Sequence, residues 1–311
     1  MATPENKLAF DGGWQYSPAP ESTDHVKIKK RYDLFIGGDF VRPAKGKYFD
    51  TINPANEEKL SRVALASDED VDRAVKAARQ AYSGWSRMKA AERGKYIYRI
   101  ARILQERSRE FAAIESLDGG KPIRESRDVD VPLAAAHFFY YAGWADKLEY
   151  AFPGRKVKPL GVAGQIIPWN FPLLMAAWKI APALACGNTV VIKPAETTPL
   201  TAMKLAEVIA DAGLPPGVVN IVTGAGETGA AIVNHPGVDK IAFTGSTSVG
   251  RIIQKALAGT NKKYTLELGG KAANIIFADA AIDQAVEGIV NGIFFNQGHV
   301  CCAGSRLFVQ E

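Results

Sequence analysis

The sequence predicts an α/β fold built on a doubly wound parallel sheet. From about residue 160 to residue 295, short apolar runs end at Gly, Pro or Asn, and helical periodicity follows them. This alternation is typical of βαβ units. The runs are rich in Val, Ile and Ala without polar alternation, as expected when helices cover both faces of a parallel sheet. The predicted architecture is therefore a Rossmann-like nucleotide-binding domain.

The elements of this domain follow one another in a regular order. The predicted strands are residues 162–167, 189–193, 218–222, 240–244, 264–268 and 273–277. The predicted helices are residues 199–212, 227–234, 247–258 and 282–295. Upstream, apolar residues recur at helical spacing after Ser67, a predicted N-cap, and again from Tyr96 to Leu104. The first half is therefore predicted to be helix-rich. Residues 1–31 mix Pro, Gly, Ser and charge, which predicts an extended or disordered leader.

Composition indicates a globular protein and excludes two classes of partner. The chain has 311 residues, of which 47% are hydrophobic, and a net charge of +5. Its basic residues are interleaved with acidic ones, which does not fit a nucleic-acid-binding face. The longest apolar stretch, residues 171–187, contains Lys179 and Pro182 and is shorter than the ~20 residues of a membrane span. We therefore expect neither a nucleic-acid partner nor a membrane partner.

Histidine and cysteine usage bears on metal binding and location. The four histidines are scattered without the paired spacing of a ligand set, so no metal site is expected. The three cysteines give no even-numbered disulfide framework, and no apolar signal peptide opens the chain. A reducing, cytoplasmic location is therefore predicted.

The C-terminal residues contain the strongest candidate for a nucleophile. Cys301 and Cys302 follow the turn-forming sequence Asn296-Gln297-Gly298. A cysteine acts as a nucleophile when it is exposed to substrate, partly ionised and faced by donors that stabilise the oxyanion its attack creates. Asn170 is a candidate donor because two prolines bracket it in a rigid segment after a predicted strand. The alternative is an asparagine that only caps this turn.

Two further candidates lie at predicted strand ends. Glu267 is a lone carboxylate among apolar residues beside two glycines, which favours a buried general base. The alternative is a carboxylate satisfied by neighbouring backbone amides. Lys193 is the last residue of another predicted strand and Glu196 follows it, at the edge where ligands bind in such sheets. An acidic residue there holds a ribose diol. A surface ion pair is the alternative.

Two glycine-bearing turns are candidate pyrophosphate sites. Thr244, Gly245 and Ser246 lie between a predicted strand and its helix, where backbone N–H groups at a helix N-terminus suit an anion. The segment Gly224–Gly229, which includes Gly226, fits the pattern G-x-G-x-x-G. Either turn is alternatively a tight connection between a strand and a helix.

Five motifs, taken together, resemble the aldehyde dehydrogenase superfamily in order and spacing. They are Gly164 to Pro172, Ile192 to Glu196, Phe243 to Thr247, Leu266 to Lys271 and Gln297 to Arg306. The resemblance runs from about Tyr32 to Glu311 and includes Leu117 to Pro122.

The resemblance implies an activity and a cofactor. In this family a cysteine thiolate attacks an aldehyde to give a thiohemiacetal, hydride passes to nicotinamide, and water hydrolyses the resulting thioester to a carboxylic acid. Cys301 matches the family nucleophile, because it stands three residues after Gly298, and Cys302 matches a variable position. Asn170 resembles the oxyanion donor and Glu267 the general base. The presence of that base argues for hydrolysis over transfer of the acyl group to coenzyme A.

The resemblance also implies cofactor contacts. Lys193 and Glu196 resemble the adenosine-ribose contacts, and a carboxylate at Glu196 favours NAD over NADP. Gly245 and Ser246 resemble the pyrophosphate turn, which the family pattern favours over Gly224. The remaining residues expected to contact the cofactor are Ile166, Ile167, Trp169, Gly226 and Thr244.

The chain departs from the family pattern at its end and before the first strand of the sheet. Family members continue much further past the nucleophile. We therefore expect a nucleotide-binding domain at residues 32–266, a truncated catalytic domain at 267–311, and an inactive isolated chain. The alternative is a non-catalytic NAD-binding or scaffold module. The segment near residues 149–160, where the resemblance implies an oligomerisation hairpin, is shorter than is usual in the family, so the geometry of a dimer is left open. The resemblance implies a homo-oligomer, such as a dimer, for the complete protein. Together with residues 16–22, this shortened segment resembles a branch in which a second dehydrogenase-like unit follows the first.

Overall fold

The computed structural model describes residues 23–155 and 157–311, together with the backbone of two short strands. These strands, β1 (Leu8–Ala9) and β2 (Gln15–Tyr16), pair antiparallel. The rest of the predicted leader up to residue 22 lies outside the described part. Within residues 23–155 and 157–311, no helix combines the length and the apolarity needed to cross a bilayer.

The N-terminal part contains strands as well as the predicted helices. The strands are β3 (Arg31–Tyr32), β4 (Leu34–Ile36), β5 (Asp39–Val41), β6 (Tyr48–Ile52) and β7 (Lys59–Ala64). The helices are α1 (Asp68–Arg87), α2 (Ala90–Glu106), α3 (Ser108–Gly119), α4 (Ile123–Glu125), α5 (Val131–Trp144) and α6 (Leu148–Ala151). A π-helical turn, Ser126–Asp130, joins α4 to α5. Helix α1 begins at the predicted N-cap, where Ser67 and Asp70 form a capping box.

The central sheet confirms the predicted α/β architecture. Its parallel strands are β8 (Val162–Ile166), β9 (Thr189–Lys193), β10 (Val219–Ile221), β11 (Lys240–Gly245) and β12 (Lys263–Leu268). The helices between them are α7 (Pro172–Ala185), α8 (Leu200–Asp211), α9 (Gly226–Asn234) and α10 (Thr247–Leu257). The strand order is β12-β11-β8-β9-β10-β4-β5, with β4 and β5 antiparallel to their neighbours. The chain therefore winds in both directions from β8, and the switch point lies at the carboxyl end of that strand.

Apolar side chains cover both faces of the sheet, as its strand composition predicts. One core joins helices α2, α3, α5, α7 and α8 to the sheet, and the other joins α1, α9 and α10 to the opposite face. The strands β8 and β9 are buried along their whole length. A sheet that is buried on both sides keeps its strand ends fixed, which is the requirement for a site at those ends.

The C-terminal residues form a smaller unit. Strands β13 (Ala273–Ile276) and β14 (Arg306–Val309) pair in parallel, and helix α11 (Ile282–Phe294) connects them through a short turn at Phe295–Gly298.

The structure describes residues 149–155 and 157–160 of the segment in which a hairpin is predicted. Residues 148–151 form helix α6, and residues 149–155 and 157–160 contain no strand. The physical reason lies in its hydrogen bonds. The backbone N–H of Leu160 donates to Asn188 Oδ1 at 2.7 Å, so a side chain satisfies this donor in place of a partner strand.

Candidate functional site

A cavity of about 1550 Å³ opens at the carboxyl ends of β8, β9, β11 and β12. This is the edge where doubly wound sheets bind ligands. Every catalytic and cofactor residue predicted from the sequence lies on its wall: Ile166, Ile167, Trp169, Asn170, Lys193, Glu196, Gly226, Thr244, Gly245, Ser246, Glu267 and Cys301. The fold therefore brings five separate motifs together in one place.

The two C-terminal cysteines are exposed on the cavity wall. Partial burial raises the pKa of the Cys301 thiol, and the adjacent Cys302 raises it further. The backbone N–H groups of both residues act in the opposite direction but do not outweigh these effects. Cys301 is thus accessible as predicted, but these surroundings do not favour its thiolate, so attack requires a base to remove the proton.

The loop before Cys301 has an unusual backbone. Asn296, Gln297 and Gly298 have φ values of 50°, 58° and 76°, which places three consecutive residues in the left-handed region. For residues other than glycine this conformation costs of order 1 to 3 kcal/mol each and persists only where neighbours impose it. Here Asn296 Nδ2 donates to the Asn170 carbonyl at 2.8 Å, and Gln297 Nε2 donates to the Gly120 carbonyl at 2.6 Å.

The Asn170 amide lies beside the nucleophile loop, where an oxyanion donor is needed. Its Nδ2 donates to the carbonyl of His299 at 2.6 Å, two residues before Cys301. The Trp169 ring packs edge-on against His299, with ring centroids 4.7 Å apart. An asparagine amide carries two hydrogens, so one remains for a substrate oxygen. The contact joins the predicted donor directly to the segment that carries the predicted nucleophile.

Glu267 lines the cavity but is not buried as expected. The residue is exposed because β12 is the outermost strand of the seven-stranded sheet. Its neighbour Gly270 lies next to the predicted nucleophile, since a Cβ added to that glycine would be 4.0 Å from the Cys301 carbonyl oxygen. Glu267 is therefore three residues before a glycine that lies close to Cys301. The Glu267 carboxylate itself is open to solvent.

Lys179 is a site residue that the sequence analysis missed. It lies on α7 and lines the cavity, and its Nζ donates to Thr244 Oγ1 at 2.6 Å. Burial lowers the pKa of Lys179 to about 8, and Glu267 partly opposes this shift. The sequence showed it only as a charge that interrupts an apolar stretch. Because α7 is apolar on nearly all sides, helical phase does not mark Lys179, and the presence of a charge inside such a helix was the available signal.

The Lys193 ammonium, which lies at the β9 end of the cavity, donates all three of its hydrogens. It donates to the carbonyls of Pro194 and Gly224 at 2.9 and 2.8 Å, and to Glu196 Oε2 at 3.2 Å. Burial lowers the pKa of Lys193, and Glu196 partly compensates. The lysine is 5% exposed, so the pair is not the surface ion pair considered as an alternative. The Glu196 side chain is 53% exposed and open to a ligand.

The turn after β11 presents a helix N-terminus to the cavity. Ser246 is the N-cap of α10, and its Oγ accepts from the Val249 N–H at 3.3 Å. A Cβ at Gly245 would lie 2.5 Å from the Phe243 ring, so this position requires glycine for close packing. The free N–H groups of the first helical turn suit a phosphate. Gly226 begins α9 and also lines the cavity, whereas Gly224 accepts the Lys193 hydrogen bond.

Comparison with known proteins agrees with this geometry. Residues 40–311 match the sequence model of the aldehyde dehydrogenase family. The chain belongs to the aldehyde dehydrogenase family. It is 51% identical over 308 residues to retinal dehydrogenase 2 of Homo sapiens, covering 94% of this chain and 59% of that protein. It is 51% identical over 289 residues to an aldehyde dehydrogenase of Alternaria alternata, covering 89% of this chain and 58% of that protein.

Solved aldehyde dehydrogenases share the fold. The NAD⁺ complex of aldehyde dehydrogenase from Bacillus cereus superposes with a TM-score of 0.88 at 46% identity, covering 91% of this chain and 60% of that chain. Indole-3-acetaldehyde dehydrogenase in complex with NAD⁺ superposes with a TM-score of 0.88 at 40% identity, covering 93% and 61%. This chain thus spans about 60% of the length of these relatives.

The residues present fit a dinucleotide. An exposed carboxylate at Glu196 and the N-terminus of α10 lie on one cavity, and the wall between them includes Ile166 and Ile167. These groups suit a ribose diol, a pyrophosphate and apolar ring faces. Among residues 23–155 and 157–311, no group of three or more His, Cys, Asp or Glu side chains is placed to hold a metal ion.

Proposed function

We propose that the protein containing this chain oxidises an aldehyde to a carboxylic acid with NAD, through a thiohemiacetal and a thioester on Cys301. The observation that carries the proposal is the 2.6 Å hydrogen bond from Asn170 to the His299 carbonyl. It joins a candidate oxyanion donor to the nucleophile loop, on the wall of a cavity whose other groups suit a dinucleotide.

The first step forms a bond between the Cys301 sulfur and the aldehyde carbon. The thiol proton leaves to solvent water, which reaches the exposed Cys301, and the carbonyl oxygen becomes an oxyanion. The second amide hydrogen of Asn170 and the backbone N–H of Cys301 stabilise that charge. Because the loop at 296–298 is held by side-chain hydrogen bonds, both donors are fixed before substrate arrives, which is the condition for electrostatic stabilisation of a transition state.

The second stage releases the acid. NAD⁺, when bound, supplies the acceptor for the hydride that leaves the substrate carbon. Glu267 removes a proton from water, the resulting hydroxide adds to the thioester carbon, and the carbon–sulfur bond breaks to regenerate the thiolate. The exposed position of Glu267 gives water direct access to this base. The Lys179 ammonium interacts electrostatically with Glu267 and supplies a second titratable group beside it.

NAD is the proposed cofactor in preference to NADP. The exposed Glu196 carboxylate accepts hydrogen bonds from a free ribose hydroxyl and would repel a phosphate in its place. Lys193 does not offset that repulsion, because its three hydrogens are already donated. We also propose a cytoplasmic location and a homo-oligomeric assembly, which fractionation of the native cells and light scattering respectively test.

The decisive experiment compares two cysteine variants. Protein from the complete reading frame that contains these residues is assayed for NADH formation with NAD and a series of small aldehydes. We expect Cys301→Ala to abolish turnover and Cys302→Ala, the matched control, to retain it. Equal turnover by Cys301→Ala and the parent would refute the assignment. Calorimetry of the 311-residue chain with NAD then tests the alternative, since saturable binding without turnover in either protein would favour a non-catalytic module.

A further inference from the structure

A buried cluster of charged side chains lies below the catalytic turn and takes no part in the steps above. Glu115, Lys121 and Asp130 are each at most 5% exposed. The Lys121 ammonium is 3.4 Å from Glu115 Oε1 and forms an ion pair with Asp130. Burying one ammonium with two carboxylates contributes little to stability compared with apolar side chains of the same volume. Its place in the fold is therefore the more informative property.

The cluster contacts the turn that carries the oxyanion donor. Lys121 Nζ lies 4.5 Å from the centroid of the Phe171 ring, within the range of a cation–π contact. Glu115 Oε2 accepts a hydrogen bond from the Leu173 N–H at 3.4 Å. Phe171 directly follows Asn170, and Leu173 lies in the first turn of α7. The cluster thus contacts the Asn170 turn through Phe171 and Leu173, and its member Asp130 also reaches the cavity wall.

The segment that carries Lys121 also holds the nucleophile loop. The Gly120 carbonyl accepts the hydrogen bond from Gln297 Nε2. The backbone N–H of Asn296 acts on the Glu125 carboxyl and partly opposes the rise that burial causes in its pKa. Asn296 and Gln297 are the non-glycine residues in left-handed conformation in the loop at 296–298. The Phe171 ring additionally stacks on Phe295, with centroids 6.4 Å apart and planes at 27°. Displacing this segment would release the contacts that impose the loop conformation.

We propose that Lys121 is a positioning residue for the oxidation proposed above, on which this inference rests. Its ammonium fixes residues 120–125 and the Phe171 ring, and through them it maintains the relative placement of the Asn170 amide and Cys301. Lys121 does not contact the reacting atoms. Within residues 23–155 and 157–311, neither Glu196 nor the N-terminus of α10 forms a hydrogen bond or an ion pair with this cluster, so its loss leaves the cofactor end of the cavity in place.

A second buried lysine provides a matched control. Lys204 is 4% exposed, and its ammonium lies 2.7 Å from both Glu110 and Glu207. It is not on the cavity wall. Lys121→Met and Lys204→Met therefore each remove a buried ammonium that has two carboxylate partners, but only the first does so beneath the catalytic turn.

The experiment measures kcat, KM and NAD affinity of both variants in protein from the complete reading frame, per folded molecule. Because small misplacements of reacting groups reduce rates by up to about 100-fold, we expect Lys121→Met to lower kcat about 10- to 100-fold and to leave NAD affinity within about twofold. Lys204→Met should retain the parent kcat, and Lys121→Arg should restore part of it. If Lys121→Met does not fold, the double variant E115Q/K121M replaces it with the same expectation.

A second readout separates this inference from the proposed function. The rate at which iodoacetamide alkylates Cys301 in a Cys302→Ala background reports the loop without any turnover. We expect Lys121→Met to change that rate at least about threefold and Lys204→Met to leave it unchanged. Parent protein without dehydrogenase activity would overturn the proposed function alone. The inference would be overturned if Lys121→Met and Lys204→Met changed kcat and the alkylation rate equally. It would also be overturned if Lys121→Met changed neither quantity.

Discussion

Replacing Lys179 by Met should stabilise the chain at neutral pH, although it removes a hydrogen bond. The ammonium is held beside Thr244 in surroundings that lower its pKa from 10.5 to about 8. Folding at pH 7 therefore moves the ammonium into surroundings that stabilise its charged form less than water does. Methionine has nearly the same length and carries no charge to desolvate.

The magnitude follows from the shift. A lowering of about 2.5 units corresponds to about 3 kcal/mol of unfavourable free energy in the folded state, fully present below pH 8. Loss of the hydrogen bond to Thr244 offsets about 1.5 kcal/mol of the gain. The net expectation at pH 7 is a variant more stable by about 1 to 2 kcal/mol. Because the folded-state pKa lies below the unfolded value, the cost disappears as pH rises from 8 to 10.5, and about 2 kcal/mol of it is gone by pH 9.5.

Urea unfolding of the parent and Lys179→Met at several values between pH 7 and pH 9.5 measures this difference directly. The advantage of the variant should shrink with rising pH and reverse in sign near the upper limit. Lys240→Met is the matched control, because Lys240 also donates to a threonine hydroxyl, Thr265 Oγ1 at 3.3 Å, and has a smaller downward pKa shift from burial. A Lys179→Met variant that is less stable at pH 7, or whose advantage does not depend on pH, would refute the reasoning.

Three further outcomes are expected. Burial opposes ionisation of Glu207, but its hydrogen bonds to basic side chains outweigh burial and lower its pKa to about 2. The parent should therefore lose stability as the pH falls from 4.5 to 2, and acid unfolding of Glu207→Gln should not show this loss. Burial raises the pKa of Asp118 to about 7, so Asp118→Asn should unfold at higher urea than the parent at pH 8 and lose that advantage below pH 4. Burial raises the pKa of the Cys186 thiol, so mass spectrometry after brief iodoacetamide treatment should find Cys301 and Cys302 labelled before Cys186.

The central sheet was predictable because its strands carry their own signals. Residues 190–192, for example, form an apolar Val-Val-Ile run within the segment bounded by Asn188 and Pro194, and β9 occupies residues 189–193 of that segment. The strands β3 to β7 gave no such signal. They are two to six residues long, and β5 (Asp39–Val41) and β7 (Lys59–Ala64) mix charged and apolar residues. Such segments become strands through pairing with residues distant in the chain, which local pattern does not record.

The sequence predicted which residues line the candidate site, but it did not predict how deeply each of them is buried. The motifs named Asn170, Glu267 and Cys301, and all three line one cavity. Whether a carboxylate is buried depends on what packs over it, and Glu267 lies on an outer strand. Lys179 is the opposite case. In the sequence, this lysine only interrupts an apolar stretch, and nothing in the local pattern shows that it is buried at a cavity. Its burial arises from the neighbouring strand ends, which only the folded chain brings together.

The outer position of β12 also bears on how this chain behaves in solution. Within the described part, β12 pairs on one side only, with β11. Nearby, β13 and β14 leave Ile275, Leu307 and Val309 more than half exposed. An unpaired strand edge beside apolar β-strands is a template for pairing with further chains. Self-association should therefore rise with protein concentration and begin at this region, so that a charged substitution such as Ile275→Lys improves solubility without touching the nucleotide-binding half.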